Sequence, residues 1–472
     1  MSIRLDWEVE SEQSRTSTTG EDPSVRRKRR RGYVSLLLTL LLIGAVLGGV
    51  VVFVVERVNQ VTESLETALR DTVQAEIVAL RIGDWNAFAA VQRSATGDWL
   101  RQQRTEFENY QRILLESEDT RLTGQVLDIT LDDPRARVEV QEIIDGVPYS
   151  RIWFYWYYEE DTDGDGEMDL LGWRHVPPDY TFWGDGARYE GQYVDVAYRA
   201  VDSRFAQSLG ESLDAWVGDA CAALDCGTLP LIRVQVLPEE NSRITWDMGA
   251  PPDEWVLVVP SPYATRARTD MPFSPEIRFE VASLLAERMT LMQAGGRRMI
   301  DTADAAYLND AVVRWLVGRF VSIDMGSTLI QSLAEAYGPR AVGSLIAQLP
   351  QDASIAFVSQ ITGQPLDLSG LDWRDFISWR LELETSLAEI GIRERYRMLY
   401  DTRDQNVLLA ADQRFEQGGP PAGQQVIAAG STISADDGSP QLVATVALET
   451  ETGPSEYQIL YRLVENDWRR AS

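Results

Sequence analysis

From Tyr33 to Val55 the chain is uncharged and dominated by Leu, Val, Ile and Gly, after which apolar and polar positions begin to alternate. Those 23 residues, rising about 1.5 Å each, reach across a hydrocarbon core of roughly 30 Å. The run predicts a transmembrane helix. A cleaved signal peptide or a buried core helix would also be apolar, but the run is longer than a signal core and no small-x-small cleavage site follows it. Arg26, Arg27, Lys28, Arg29, Arg30 and Arg31 directly precede it, whereas only Glu56 and Arg57 follow closely. The positive-inside rule therefore puts residues 1–32 in the cytoplasm, as a Ser/Thr/Glu-rich disordered tail, anchors the chain through residues 33–55, and exports everything beyond Val55.

In the exported part Val58, Val61, Leu65, Ala68, Ala75, Ala79 and Ile82 recur at spacings of three and four, with Thr72 interrupting. This fits either a coiled-coil stalk or one amphipathic helix packed on its own domain, and the second is favoured over so few turns. Gly83-Asp84 breaks the pattern, a short helix runs to Gln92, and Asp98 can cap a third helix reaching Leu115. Arg121–Leu131, Arg135–Ile144 and Tyr149–Glu159 then alternate as strands, with turns at Asp132-Asp133-Pro134 and Asp145-Gly146. The order of Arg81-Ile82-Gly83-Asp84-Trp85, long strands, Gly172-Trp173-Arg174 and Phe182-Trp183-Gly184 resembles a nuclear-transport-factor-two-like cone. Helices at Leu381–Tyr400 and Gln405–Phe415, followed by strands near Gln425–Ile433, Gln441–Glu449 and Tyr457–Val464, resemble a second one. The resemblance implies pocket-forming domains at 58–190 and 385–472, and assigns no activity by itself.

Residues 191–384 are read as strand, helix Ser203–Leu224, strands Leu231–Leu237 and Trp255–Val259, then helices at Glu276–Gln293, Ala303–Ser322, Ser327–Tyr337, Arg340–Gln348 and Trp373–Glu384, with Asp301 as one expected cap. Leu308-Asn309-Asp310-Ala311, Ala336-Tyr337-Gly338-Pro339-Arg340 and Leu371-Asp372-Trp373-Arg374-Asp375-Phe376 resemble phrases of the peptidase MA-like (gluzincin) group. That family binds zinc through His-Glu-x-x-His on one helical face plus a later glutamate. Here the matching segment is Phe279-Glu280-Val281-Ala282-Ser283, with Asp310 in the position of the third ligand. Phenylalanine cannot hold zinc and a neutral serine is a poor ligand, so the resemblance implies a degenerate domain without zinc and without the family's activity. An amphipathic helix with an exposed glutamate is the plainer reading of the same residues.

Composition narrows the chemistry further. Histidine occurs once, at His175, and lysine once, at Lys28, which excludes any site built on two imidazoles. The excess of Arg over Lys fits a GC-rich bacterial genome. The net charge is −29, and residues beyond 32 carry 36 basic against 67 acidic side chains, which argues against a nucleic-acid partner. Asp161, Asp163, Asp165 and Asp169, with the carbonyl of Glu167 and Gly166 at the reversal, have the spacing of a calcium loop. Gly172 stands where an EF-hand needs glutamate, and the flanks Ile152–Tyr158 and Leu170–Val176 read as strands, so the segment resembles the calcium hairpins of integrin-type propeller blades. An acidic turn without metal is the alternative. Cys221 and Cys226 are either a local disulfide of an exported domain or two reduced thiols. His175 reads as a strand residue making one hydrogen bond, and Trp153–Tyr158 as a strand with aromatic rings on both faces.

The expected architecture is therefore an α+β multidomain ectodomain on a single N-terminal transmembrane helix, with two α+β cone domains around a helix-rich peptidase-like domain. The expected function is that of a membrane-anchored extracytoplasmic binding or scaffolding protein, a pseudopeptidase using calcium and no zinc, with an unidentified protein or small-ligand partner. A surface hydrolase working in a cone pocket or at a non-standard metal site is the alternative.

Overall fold

The computed structural model describes residues 23–116, 119–160, 169–238, 243–251, 253–297, 302–355, 357–362, 371–435, 437–450, 453–464 and 467–472. The chain is mixed α/β, with one N-terminal helix long and apolar enough to cross a membrane. That helix, α1 (Pro23–Ile82), does not stop at the end of the apolar run but continues into the first packed layer. Its buried stripe is Leu69, Val73, Ile77 and Leu80, while Val58, Val61 and Ile82 are exposed hydrophobics and Ala68 and Ala75 also face outward. Leu65 and Ala79 of the expected face do pack on the core, whereas the rest of the buried stripe lies about one residue, or 100°, further along the helix. Larger side chains one position on bury more area than the alanines that kept the spacing.

Asp84 caps α2 (Trp85–Val91) by accepting from the Ala87 amide at 3.0 Å. α3 (Gly97–Glu116) buries Trp99, Gln103, Phe107 and Tyr110, one face at helical spacing. Four antiparallel strands follow: β1 (Arg121–Asp132), β2 (Arg135–Ile144), β3 (Val147–Glu160) and β4 (Asp169–Val176). Asp145 and Gly146 both have positive φ, 51° and 78°, the mirror-type turn whose twist suits a two-residue hairpin. Along β3, Trp153 and Tyr155 pack on α1, whereas Phe154 enters the core beyond the sheet and Trp156 is exposed.

A second sheet has the order β5-β6-β7-β9-β8. It comprises β5 (Gly186–Glu190), β6 (Val194–Arg199), β7 (Ile232–Leu237), β8 (Thr245–Trp246) and β9 (Trp255–Pro260), and β6, β7 and β9 run parallel. The crossover from β6 to β7 is α4 (Ser203–Leu224). The chain then returns to the first sheet, where β10 (Ala267–Arg268) pairs with Tyr149 and Ser150 of β3.

Helices α5 (Pro275–Gln293), α6 (Ala303–Val321), α7 (Thr328–Tyr337), α8 (Pro339–Gln348), α9 (Phe357–Thr362) and α10 (Arg374–Glu389) form the helical layer. Thr302 caps α6 through the Ala305 amide, and the expected cap Asp301 lies outside the described residues. Gly343 on α8 sits where an added Cβ would be 2.7 Å from the Leu224 backbone, so the two helices approach as closely as they do only with glycine there.

The expected helix Leu381–Tyr400 is two elements, α10 and α11 (Arg393–Met398), because Gly391 at φ 75° turns the chain between them. α12 (Gln405–Glu416) leads into an antiparallel meander of β11 (Gln424–Ile433), β12 (Pro440–Thr450), β13 (Gly453–Val464) and β14 (Asp467–Arg470). α10 runs across the expected boundary at 384/385, and one buried apolar cluster extends from Phe154 through the helical layer to Trp468. A separate cluster lies between α1 and the first sheet.

Candidate ligand cavity

Between α1, α3, the first sheet and the segment Ala264–Arg266 lies a cavity of about 200 Å³. Its polar centre is Glu76, which the helical repeat places on the buried side of α1 between Val73 and Ile77. A carboxylate in an apolar layer must be satisfied locally, and three donors reach it. His175 on β4 brings Nδ1 to 2.6 Å from Oε1, Gln92 donates Nε2–H to the same oxygen at 2.8 Å, and the Tyr155 hydroxyl donates to Oε2 at 2.7 Å. Burial pushes the Tyr155 hydroxyl well above the usual phenol range, and the neighbouring Glu76 charge pushes it further.

The imidazole is clasped by rings, stacked on Tyr155 at 5.1 Å between centroids and flanked by Trp153 and Trp99 at 5.4 Å. The ring turns Nδ1 to the carboxylate and leaves Nε2 as its second polar atom. Among the described residues no group bonds Nε2, and the buried Trp99 indole N–H has no partner either. The remaining charges pair off around the rim. Arg151 donates to Glu106 at 3.2 Å, and Arg266 donates through Nε to the buried Glu142. Tyr110 spends its hydroxyl oxygen on the Leu122 amide at 3.0 Å, and burial raises its pKa.

Sequence reasoning placed His175 on a strand with one hydrogen bond and did not single out Glu76, Gln92 or Trp99. The available signal was a glutamate interrupting the apolar face of a long helix, which becomes visible once the stripe is read from Leu69 rather than Val58.

The other expected sites lie elsewhere. Phe279 and Glu280 are exposed on α5, and the Ser283 hydroxyl donates to the Phe279 carbonyl at 2.9 Å. Asp310 on α6 accepts from Arg314 at 2.9 Å on the surface. Among the described residues no group of three Asp, Glu, His or Cys side chains converges as for a metal. Asp161, Asp163, Asp165 and Glu167 lie outside the described residues, and Asp169 begins β4 opposite Glu160. The expected strands on either side of them are the hairpin β3–β4.

Cys221 and Cys226 are free thiols in contact. A continued helix would have separated them, but Asp225 adopts the left-handed conformation, φ 55° and ψ 47°, and folds Cys226 back. The Cys221 thiol keeps its proton in the hydrogen bond they share, which raises its pKa, and burial adds to that. The same bond lowers Cys226.

Comparison of the chain with protein-family models, with curated proteins and with solved structures gives no match.

Proposed function

We propose that this chain is a single-pass membrane protein that holds a binding ectodomain outside the cytoplasmic membrane, and that the cavity beneath the first sheet takes a small ligand. The observation that carries the reading is the continuity of α1, whose apolar segment and whose cavity wall at Glu76 and Leu80 belong to one helix. The basic cluster Arg26–Arg31 sets the orientation. In this reading the first sheet with its helices and the last meander are cone domains. The helical layer between them, with Phe279 and Ser283 in the positions where a gluzincin has histidines, is a non-catalytic scaffold.

Topology is tested in a Cys221→Ala, Cys226→Ala background carrying either Ser24→Cys or Ser472→Cys. A membrane-impermeant maleimide should label the second in intact cells and the first only after permeabilisation; the reverse result overturns the orientation. Native mass spectrometry of the extracted full chain, with the cavity-filling Gln103→Trp variant beside it, tests the pocket. Bound small molecules should be lost in the variant, and equal retention overturns the reading.

The Glu76–His175 pair favours a second reading, a hydrolase in which Nε2 takes a proton from water. It requires ester hydrolysis by the purified chain that disappears in His175→Phe.

A further inference from the structure

α1 carries two apolar faces, and packing within one chain covers only one of them. The first is the stripe Leu69, Val73, Ile77 and Leu80 beneath the first sheet. The second is Val54, Val61, Ala68, Ala75 and Ile82, each seven residues after the last and all exposed. At about 100° per residue, Ala68 lies about 100° around the helix from Leu69, and Ile82 about 160° from Leu80. This second face therefore points away from the chain's own domain. The nearby charges of Glu66 and Arg70 are spent on each other, at 2.7 Å along the same helix.

A strict period of seven drifts by about 20° per heptad on a straight helix and stays on one line only where the helix winds around another helix. Val58, the heptad neighbour of Val54 and Val61, is also exposed, so the apolar strip is widest close to the membrane. Further out the equivalent positions, Leu65 and Ala79, turn into the chain's own core. Independently, the apolar segment holds Gly44 and Gly48, whose spacing of four lets two membrane helices approach backbone to backbone. Gly44 lies two heptads before Val58, on the same line, and among the described residues nothing comes within 4 Å of a Cβ built on either glycine. We propose that two copies of this chain pair in the membrane through α1, along Val54, Val61 and Ala68 with Gly44 and Val58 alongside. The inference rests on the anchoring reading above, which supplies the alignment: two copies in one bilayer stand parallel at one height, so each residue of the line meets its own counterpart across a two-fold axis. That axis sets the two first sheets on opposite sides of the paired helices, where they do not collide.

With Cys221→Ala and Cys226→Ala the full chain has no thiol, and single cysteines can then be placed on the line, as Val61→Cys or Ala68→Cys, or on the far side about 160° away, as Glu63→Cys or Arg70→Cys. Two forms of each variant, one enlarged by a fused tag, are co-expressed, and the isolated membranes are oxidised with copper phenanthroline. Across a seam the thiols come within disulfide reach, whereas the far faces of two paired helices stand about 15 Å apart. Val61→Cys and Ala68→Cys should therefore give a covalent dimer containing both forms at least about tenfold faster than Glu63→Cys and Arg70→Cys. Equal rates at all four positions, no dimer at any of them, or a product joined to a different protein would each overturn the pairing. An alkaline wash of the same membranes separates the two readings. A chain that stays in the pellet without cross-linking on the line overturns the pairing alone, and a chain released by the wash overturns the anchor and the pairing together.

Discussion

Arg470, on the last strand, donates through Nη1 to Glu384 Oε2 at 2.9 Å, so the end of the chain is pinned to the centre of α10 by a pair that solvent scarcely reaches. The Tyr400 hydroxyl donates to the same oxygen at 2.7 Å, and Arg380, one turn before Glu384, donates to the Trp468 carbonyl at 2.8 Å. Removing one partner strands the other charge in a dry layer. Arg470→Leu or Glu384→Leu alone should each cost about 3–5 kcal/mol, and the double variant less than their sum, because the pair's own attraction is largely offset by desolvation. Chemical denaturation of the four proteins of the cycle measures the coupling.

Asp202 is held by the Trp183 indole N–H at 2.9 Å and by the Ser261 hydroxyl. Burial outweighs those bonds and raises its carboxyl to about 6. In the unfolded chain an aspartate titrates near 3.9, so the native state holds the proton more tightly. The stability it contributes is full below about pH 4 and is lost as the pH rises through 6, a change of about 3 kcal/mol for two pKa units. Asp202→Asn keeps an acceptor for Trp183 and has nothing to titrate. The stability difference between variant and wild type should therefore move in the variant's favour between pH 4 and pH 7, and flat parallel curves would contradict this.

The two thiols should differ in reactivity. Cys226 has the lowered pKa and the larger thiolate fraction, so iodoacetamide near neutral pH should alkylate it before Cys221. Cys221→Ala removes the hydrogen bond and should slow labelling of Cys226 by about threefold or more. Peptide mapping of partially alkylated protein separates the sites. Mild oxidation of the unlabelled chain should close the bridge expected for an exported domain, and Cys226→Ser should abolish it.

Ile77 is fully buried against the first sheet and Ile82, five residues on, is 70% exposed. Ile77→Ala should cost about 2–5 kcal/mol, and Ile82→Ala within about 0.5 kcal/mol of nothing. Equal costs would mean that the stripe had been misplaced.

That pair also marks where the sequence was legible. Strong alternation and strong turn chemistry located β2 to the residue and the Asp145-Gly146 hairpin, because a half-buried strand between two turns leaves one register that hides its apolar face. The face of α1 was harder, since small alanines satisfy a helical spacing as well as buried leucines do. β10 was invisible: two residues, Ala267 and Arg268, have no periodicity, and only the tertiary return of the chain makes them a strand. The cavity was half legible. A lone histidine on a strand could be read, but its partner Glu76 lies 99 positions away on another element, and no local pattern couples the two.

Between Val55 and the first buried stripe, α1 carries no proline and no glycine, and about ten exposed residues form a bare rod of roughly 15 Å. Such a rod is an axle. In the proposed topology, its length fixes the standoff of the cavity from the lipid surface and its phase fixes the compass direction in which the first sheet faces. Deleting a single residue from positions 56–64 would lower the ectodomain by about 1.5 Å but swing it through about 100°. Deleting seven would restore nearly the original heading while bringing it about 10 Å closer to the bilayer.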